Sequence, residues 1–203
     1  MSISTKLKKS MEQGARIRKM VEEGILLKTK MGADKVYDLS LGNPIYEPPP
    51  KFIELLRNYI ENPASGLHRY MPNAGLAETR ESVAKNLTNE TGLIFSKEDI
   101  VMTCGAGGAL NIIIKTLLDP GDEIVVFAPY FAEYFFYADN HGGKCVVLDH
   151  DDDFMPKLSI LEEIVNEKTK MVIVNSPNNP SGVVYPNSVL TVSYTHLTLP
   201  TKA

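Results

Sequence analysis

The sequence predicts an α/β protein whose sheet is mostly parallel and covered by helices on both faces. Two observations predict this. From residue 99 onward, apolar strand-like segments alternate with helix-like segments through short connections. The strand-like segments are also near-continuous apolar runs rather than alternating ones, as expected of strands buried on both faces. A chain of 203 residues is long enough for one sizeable domain and part of a second.

Taken in order, residues 4–30 carry Leu7, Met11, Ile17, Met20, Val21, Ile25 and Leu26 among many charges. That spacing suits one long or broken amphipathic helix, with Gly32 as its stop. Residues 36–50, VYDLSLGNPIYEPPP, read as a short extended piece and a loop stiffened by prolines. KFIELLRNYIEN (51–62) is helical by pattern, SGLHRYMPNAG (65–75) is a loop, and LAETRESVAKNLTNETG (76–92) is helical up to Gly92. The alternation follows. DIVMTC (99–104) is a strand, GAGGALNIIIKTLL (105–118) a Gly-rich turn and helix, and EIVVFA (123–128) a second strand. YFAEYFFYADNHGG (130–143) is a helix, KCVVLD (144–149) a third strand, LSILEEIVNEK (158–168) a helix and KMVIVN (170–175) a fourth strand.

Composition narrows the function classes. Hydrophobic residues make up 43% and charged residues 23%, as in ordinary globular domains. A net charge of −4 with no basic block argues against a nucleic-acid surface. No run approaches the roughly 18 apolar residues of a membrane span, and the N-terminus lacks the apolar core of a signal peptide. Cys104 and Cys145 sit in apolar segments and read as buried thiols, so a cytoplasmic location is expected. The four histidines show no metal-ligand spacing, and the acidic run 149–153 lacks the glycine and distal glutamate of a calcium loop; no metal is expected.

In sheets of this kind ligands bind beyond the carboxyl ends of the strands, which directs attention to three loops. Gly105-Ala106-Gly107-Gly108 lies between a strand and an apolar helix, where free N–H groups attract an anion such as phosphate; a tight packing turn is the other reading. It lacks the third glycine of a dinucleotide fingerprint, Leu110 standing there, and has no G-K-[ST]. In APYFAEY (128–134), Phe131 follows a strand end, where an aromatic ring either covers a planar ligand or packs into the core. In NSPNNPSG (175–182), Asn179 offers an amide between two stiffening prolines, for a ligand oxygen or for an ordinary turn. An anion cradle, a ring and an amide at one sheet edge suit a flat, phosphorylated, hydrogen-bonding cofactor.

Five segments in order resemble the class I/II aminotransferases, the fold type I enzymes that use pyridoxal 5′-phosphate. These are LSLGNP (39–44), YMPNAGLAETR (70–80), GAGGAL (105–110), DPGDEIVVFAPYFAEY (119–134) and NSPNNPSG (175–182), with Thr79-Arg80 replacing the usual Leu-Arg. The resemblance implies an incomplete large domain together with the N-terminal part of the small domain: an arm and substrate loop over 1–45, and the first part of the cofactor-binding domain over 46–190. It implies that Gly105, Ala106 and Gly107 bind the cofactor phosphate, that Phe131 stacks on the pyridine ring, and that Asn179 bonds the ring's phenolic oxygen. It further implies that Gly42 lies near the substrate carboxylate and that Tyr70 reaches across a homodimer interface to the partner's phosphate. The activity implied is transfer of an amino group between an amino acid and a 2-oxo acid. A carbon–sulfur lyase of the same fold is the alternative. A non-catalytic sensor domain is disfavoured, because the residues before LGNP read as one helical arm rather than a DNA-binding domain.

The family's Schiff-base lysine, the aspartate at the pyridine nitrogen and the arginine for the substrate carboxylate follow the Asn-Pro-[ST]-Gly loop at a distance this chain does not reach. No catalytic residue is therefore assigned, and the 203 residues are expected to be inactive and poorly soluble. Residues 191–203, TVSYTHLTLPTKA, show no helical period and resemble one reading frame of a sequencing-library transposase adaptor; the expectation is a non-native tail.

Overall fold

The computed structural model describes residues 3–40, 42 and 46–198. The chain forms two compact units, residues 1–69 and 70–203.

In the first unit, the stretch expected to be helical forms one helix, α1 (Thr5–Met31), with Leu7, Met20, Ile25 and Leu26 exposed, and it stops at Gly32, whose φ of 96° few other residues adopt. Gly24 is buried, and a Cβ there would meet the Asp38 carboxylate at 3.1 Å. Asp38 ties the segment after α1 back to it. It accepts from Lys28 Nζ at 2.8 Å and from Ser40 N at 3.0 Å and Ser40 Oγ at 2.5 Å. These hydrogen bonds, chiefly that from Lys28, hold its carboxyl well below the usual carboxylate range. Helix α2 (Pro50–Glu61) begins with proline at its first position, where the missing N–H costs nothing. None of its residues is buried, and Phe52, Leu55, Leu56 and Tyr59 stand exposed.

The second unit holds helix α3 (Ala77–Thr91), closed by Gly92 in the left-handed region, then helix α4 (Gly105–Leu117), strand β1 (Glu123–Phe127), helix α5 (Glu133–Asn140), strand β2 (Lys144–Leu148), the single turn α6 (Leu161–Ile164), strand β3 (Thr169–Ile173) and helix α7 (Asn187–Thr198). The three strands form one parallel sheet in the order β2-β1-β3. Val125 of β1 lies opposite Val146 of β2 and Val172 of β3.

Strand β1 is central and buries alternate residues on opposite faces. Ile124 and Val126 join Ile173 against Ile114 of α4, Leu118 just after it, and Tyr134 and Ala138 of α5. Val125 and Phe127 join Leu148 against Leu161 of α6 and Tyr185. Both faces are thus covered, which is why β1 reads as an unbroken apolar run.

Four sequence expectations change. DIVMTC does not form a strand: Ile100 is extended and buried, but the segment bonds to turns and loops, with Ile100 N to Lys97 O at 3.3 Å and Met102 N to Ala74 O at 2.9 Å, and Val101 and Met102 are 59% and 40% exposed. Gly75 (φ 98°) makes room for it, since a Cβ there would lie 2.7 Å from Met102 Cγ. The helix expected over 158–168 shrinks to a 3₁₀ turn and α6, because Asn166 diverts the backbone: it accepts from Lys168 N at 2.9 Å and reaches Glu123 at 2.9 Å. Cys104 is exposed, not buried. Residues 191–198, expected to lack helical order, continue α7, where Ser193 is buried and donates its hydroxyl to Val189 O at 2.8 Å. Residues 199–203 lie outside the described set.

Candidate cofactor site

The order β2-β1-β3 places a reversal at β1. The connection from β1 runs through α5 on one face, whereas the chain leaving β3 crosses to Tyr185 on the other. Loops that depart to opposite faces open a crevice between the carboxyl ends of β1 and β3. The loops holding Phe131 and Asn179 are the two that flank it.

Helix α4 supplies the third wall. Its C-terminal end lies at the start of the sheet: Gly121 N bonds Gly142 O at 2.9 Å, and a Cβ on Gly143 would strike Leu118 Cδ1 at 2.5 Å. The helix packs antiparallel to β1, so 13 residues, about 20 Å long, carry its N-terminus to the carboxyl edge. There Gly105 has φ 70°, with nothing within 4 Å of where a Cβ would stand. The cap residue Cys104 makes no side-chain hydrogen bond to the helix start. Of the first-turn N–H groups, which have no partner within the helix, that of Gly105 donates to Thr103 O at 2.9 Å, and the others are free of a capping side chain. Thr103 Oγ1 instead donates to Gly105 O at 3.0 Å and holds the turn.

Gly107 has a second reason to be glycine. A Cβ there would lie 2.8 Å from Tyr137 Oη of α5, so its bareness admits the close packing of α4 on α5. Ala106 sits between these glycines in the first turn.

Phe131 is 37% exposed and packs edge-to-face on Tyr134, centroids 5.7 Å apart at 83°. Tyr134 is buried, which pushes its phenol pKa up, and the neighbouring Tyr137 adds to the shift. Tyr130 turns away to stack on Phe135 at 4.9 Å. The ring at 131 is therefore braced from one side and open to solvent, which leaves it able to face a planar group.

Asn179 is exposed, and its side chain makes no hydrogen bond among the described residues. Its backbone N–H is accepted by the Asn175 amide oxygen at 2.9 Å when that amide is turned to let its nitrogen donate to Pro177 O at 3.2 Å. The Ala128-Pro129, Ser176-Pro177 and Asn179-Pro180 peptides are cis.

The residue that sequence reasoning missed is Asn178. It is 6% exposed and fully engaged. Its Nδ2 donates to Pro129 O at 3.0 Å and to Tyr185 Oη at 3.4 Å; its Oδ1 accepts from Ser181 N at 3.1 Å and Ser181 Oγ at 2.8 Å. The pattern Asn-x-x-Ser, an asparagine bonding back to the turn that follows it, was the available signal.

Tyr70 opens the second unit fully exposed, with no hydrogen bond or ring contact among the described residues. Gly42 belongs to the first unit, and nothing lies within 4 Å of its Cβ position. The loops of Gly105–Gly107, Phe131 and Asn179 are brought to one sheet edge. A cavity of about 420 Å³ lies elsewhere, between α3 and the 95–98 turn, lined by Glu81, Lys85, Thr88 and Phe95. No cluster of metal-ligating residues occurs among the described residues.

The edge has what a flat phosphorylated group requires: an open left-handed glycine, uncapped N–H groups, an exposed ring and an unpaired amide.

The family described as aminotransferase class I and II matches residues 34–192. The aspartate/prephenate aminotransferase of Thermus thermophilus is 35% identical over 163 residues, 79% of this chain and 41% of that protein. The aspartate aminotransferase of Thermotoga maritima is 32% identical over 181 residues, covering 88% and 45%. A crystal structure of an aminotransferase from Eubacterium rectale superposes with a TM-score of 0.87 at 33% identity, covering 97% of this chain and 50% of that one. The chain spans less than half the length of these two curated relatives.

Proposed function

The chain belongs to the class I and II aminotransferase family, and from that premise we propose that residues 46–190 form the first part of the cofactor-binding domain of a pyridoxal 5′-phosphate-dependent aminotransferase. The reaction is transfer of an amino group between an amino acid and a 2-oxo acid. The observation that carries this reading is the strand order β2-β1-β3, which puts the loops after β1 and β3 side by side at the carboxyl edge, with the start of α4 directed to the same edge.

The first-turn N–H groups of Gly105, Ala106 and Gly107 hold the cofactor phosphate, aided by the positive end of α4. Phe131 stacks on the pyridine ring, with Tyr134 bracing it. Asn179 donates its amide N–H to the phenolic oxygen. The cofactor, once bound, supplies an aldehyde for the amino group and a sink for the electrons released at the α carbon. These residues orient and hold it; no lysine among them is assigned the covalent role. Gly42 approaches the substrate carboxylate, and Tyr70 contacts the phosphate bound by the partner in a cytoplasmic homodimer.

The coding locus, read from unfragmented DNA, supplies the protein to assay and also tests the non-native origin of residues 191–203. The expected result is keto acid formation that requires both pyridoxal 5′-phosphate and a 2-oxo acceptor. Phe131→Ala and Asn179→Ala should each weaken cofactor binding by about tenfold. Keto acid and ammonia formed without an acceptor would point to a lyase. A protein that never takes up the cofactor at saturation would overturn the reading altogether.

A further inference from the structure

We propose that Asn178 is a positioning residue that sets the separation of the Phe131 ring and the Asn179 amide, and so fixes how the cofactor ring is held. This rests on the reading of those two residues as ring and phenolic-oxygen contacts. The two loops have no strand ladder between them beyond Ile173 of β3, so their relative placement has to come from other bonds. Asn178 supplies them. One amide spans both loops: the Nδ2 reaches Pro129 O at 3.0 Å, two residues before Phe131, and the Oδ1 takes both donors of Ser181, two residues after Asn179.

The backbone of the same residue closes the turn. Asn178 N donates to Val183 O at 2.8 Å, and its carbonyl accepts from Gly182 N at 2.8 Å. Beneath it, Tyr185 is buried, donates its N–H to Ser176 Oγ at 2.9 Å and rests on Phe127 with centroids 6.2 Å apart. The loop is thus seated on the last residue of β1. An aspartate at 178 could keep both Ser181 bonds but would have no donor for the Pro129 carbonyl. An alanine would leave that carbonyl and both Ser181 donors without this partner at a half-buried place.

Acting through Asn179 has a signature that general destabilisation lacks. The phosphate is held by α4, which Asn178 does not touch among its recorded bonds; the ring end is held by the loops it joins. Loss of Asn178 should therefore change ring-end contacts and leave the phosphate contacts alone. It should also be non-additive with loss of Asn179, because both remove the same contact.

The test uses the complete holoenzyme and a double-mutant cycle of Asn178→Ala and Asn179→Ala. Three things are read: affinity for pyridoxal 5′-phosphate, the visible absorption of the bound cofactor, and its phosphorus resonance. Each single variant is expected to weaken affinity about five- to tenfold and move the absorption band, with the phosphorus signal unchanged. The double variant should bind no more weakly than Asn179→Ala alone. If the alanine variant at 178 does not fold, Asn178→Asp, which keeps the Ser181 bonds and loses the one to Pro129, takes its place in the cycle. Multiplying effects, or a normal absorption band in a variant that is merely less stable, would overturn the inference. A wild-type holoenzyme in which Asn179→Ala has no effect on the band would overturn the underlying assignment of Asn179 as well.

Discussion

Residues 123–127 and 99–104 are alike as sequence and opposite as structure. Both are short apolar runs that end near a Gly- or Pro-bearing loop. The first, β1, has a ladder on each side and buries Ile124, Val125 and Val126 completely. The second has no ladder among the described residues and leaves Val101 and Met102 in solvent. The apolar run is a property of the segment; the strand is a property of its neighbours. Where a neighbouring strand is present, backbone N–H and C=O groups pair and side chains pack on both faces. Where none is, Ile100 is buried but Val101 and Met102 stay exposed.

The sharpest way to break this contrast is to cut the same kind of side chain from each run. Ile124→Ala removes three buried carbons between two strands and two helices and should destabilise the second unit by about 2–5 kcal/mol. Val101→Ala removes exposed carbons and should cost under about 0.5 kcal/mol. Denaturant unfolding followed by circular dichroism reads both. Equal losses would mean that 99–104 is packed as β1 is.

The cysteines give a second comparison, because Cys145 lies within strand β2 and Cys104 ends the segment 99–104 that forms no strand. Cys145 sits on β2 with its thiol pKa pushed up to about 12 by burial. At pH 8 about one molecule in ten thousand would carry the thiolate that reacts. Cys104 is exposed. With a disulfide reagent under native conditions one thiol should titrate at once and the second at least about a hundredfold more slowly, until denaturant exposes it. Two fast thiols would place Cys145, half-buried on β2, in solvent.

What was legible in the sequence follows the same division. Strand β1 was readable because burial on both faces prints a continuous apolar run between turn signals, and β2, though only Leu148 of it is buried, shares that apolar run. The three loops were readable because glycine, proline and asparagine there depart from the composition around them. Residues 99–104 were misread because the ladder partner of a strand is not encoded in the strand. Residues 165–168 were misread because Asn166 breaks the helical pattern: its side chain accepts from Lys168 N, its backbone N–H donates to Thr169 Oγ1 and its carbonyl accepts from Thr169 N. Asn178 was passed over for a different reason: it and Asn179 are adjacent and chemically identical, and only burial separates the one that holds the loop from the one that faces outward.

Outside the sheet, the comparison can be sharpened where burial is least. Asp38 is held by Lys28 and Ser40 at a partly exposed site, and the side chains of Lys28 and Asp38 remain 38% and 22% exposed. Its folded-state pKa lies below that of an unfolded aspartate, so the carboxylate stabilises the fold at any pH above the unfolded value, near 3.9. That contribution is lost as the pH falls from there toward the folded value, because the unfolded chain then binds the proton first. The gap in melting temperature between wild type and Asp38→Asn should accordingly be steady from pH 7 to 5 and close below about pH 4. It should also shrink in high salt, as a screened surface pair does, and remain the smallest of these effects. A gap that widened on acidification would mean that Asp38 is protonated in the folded chain, and the hydrogen bonds from Lys28 and Ser40 could not be what joins residues 38–40 to α1.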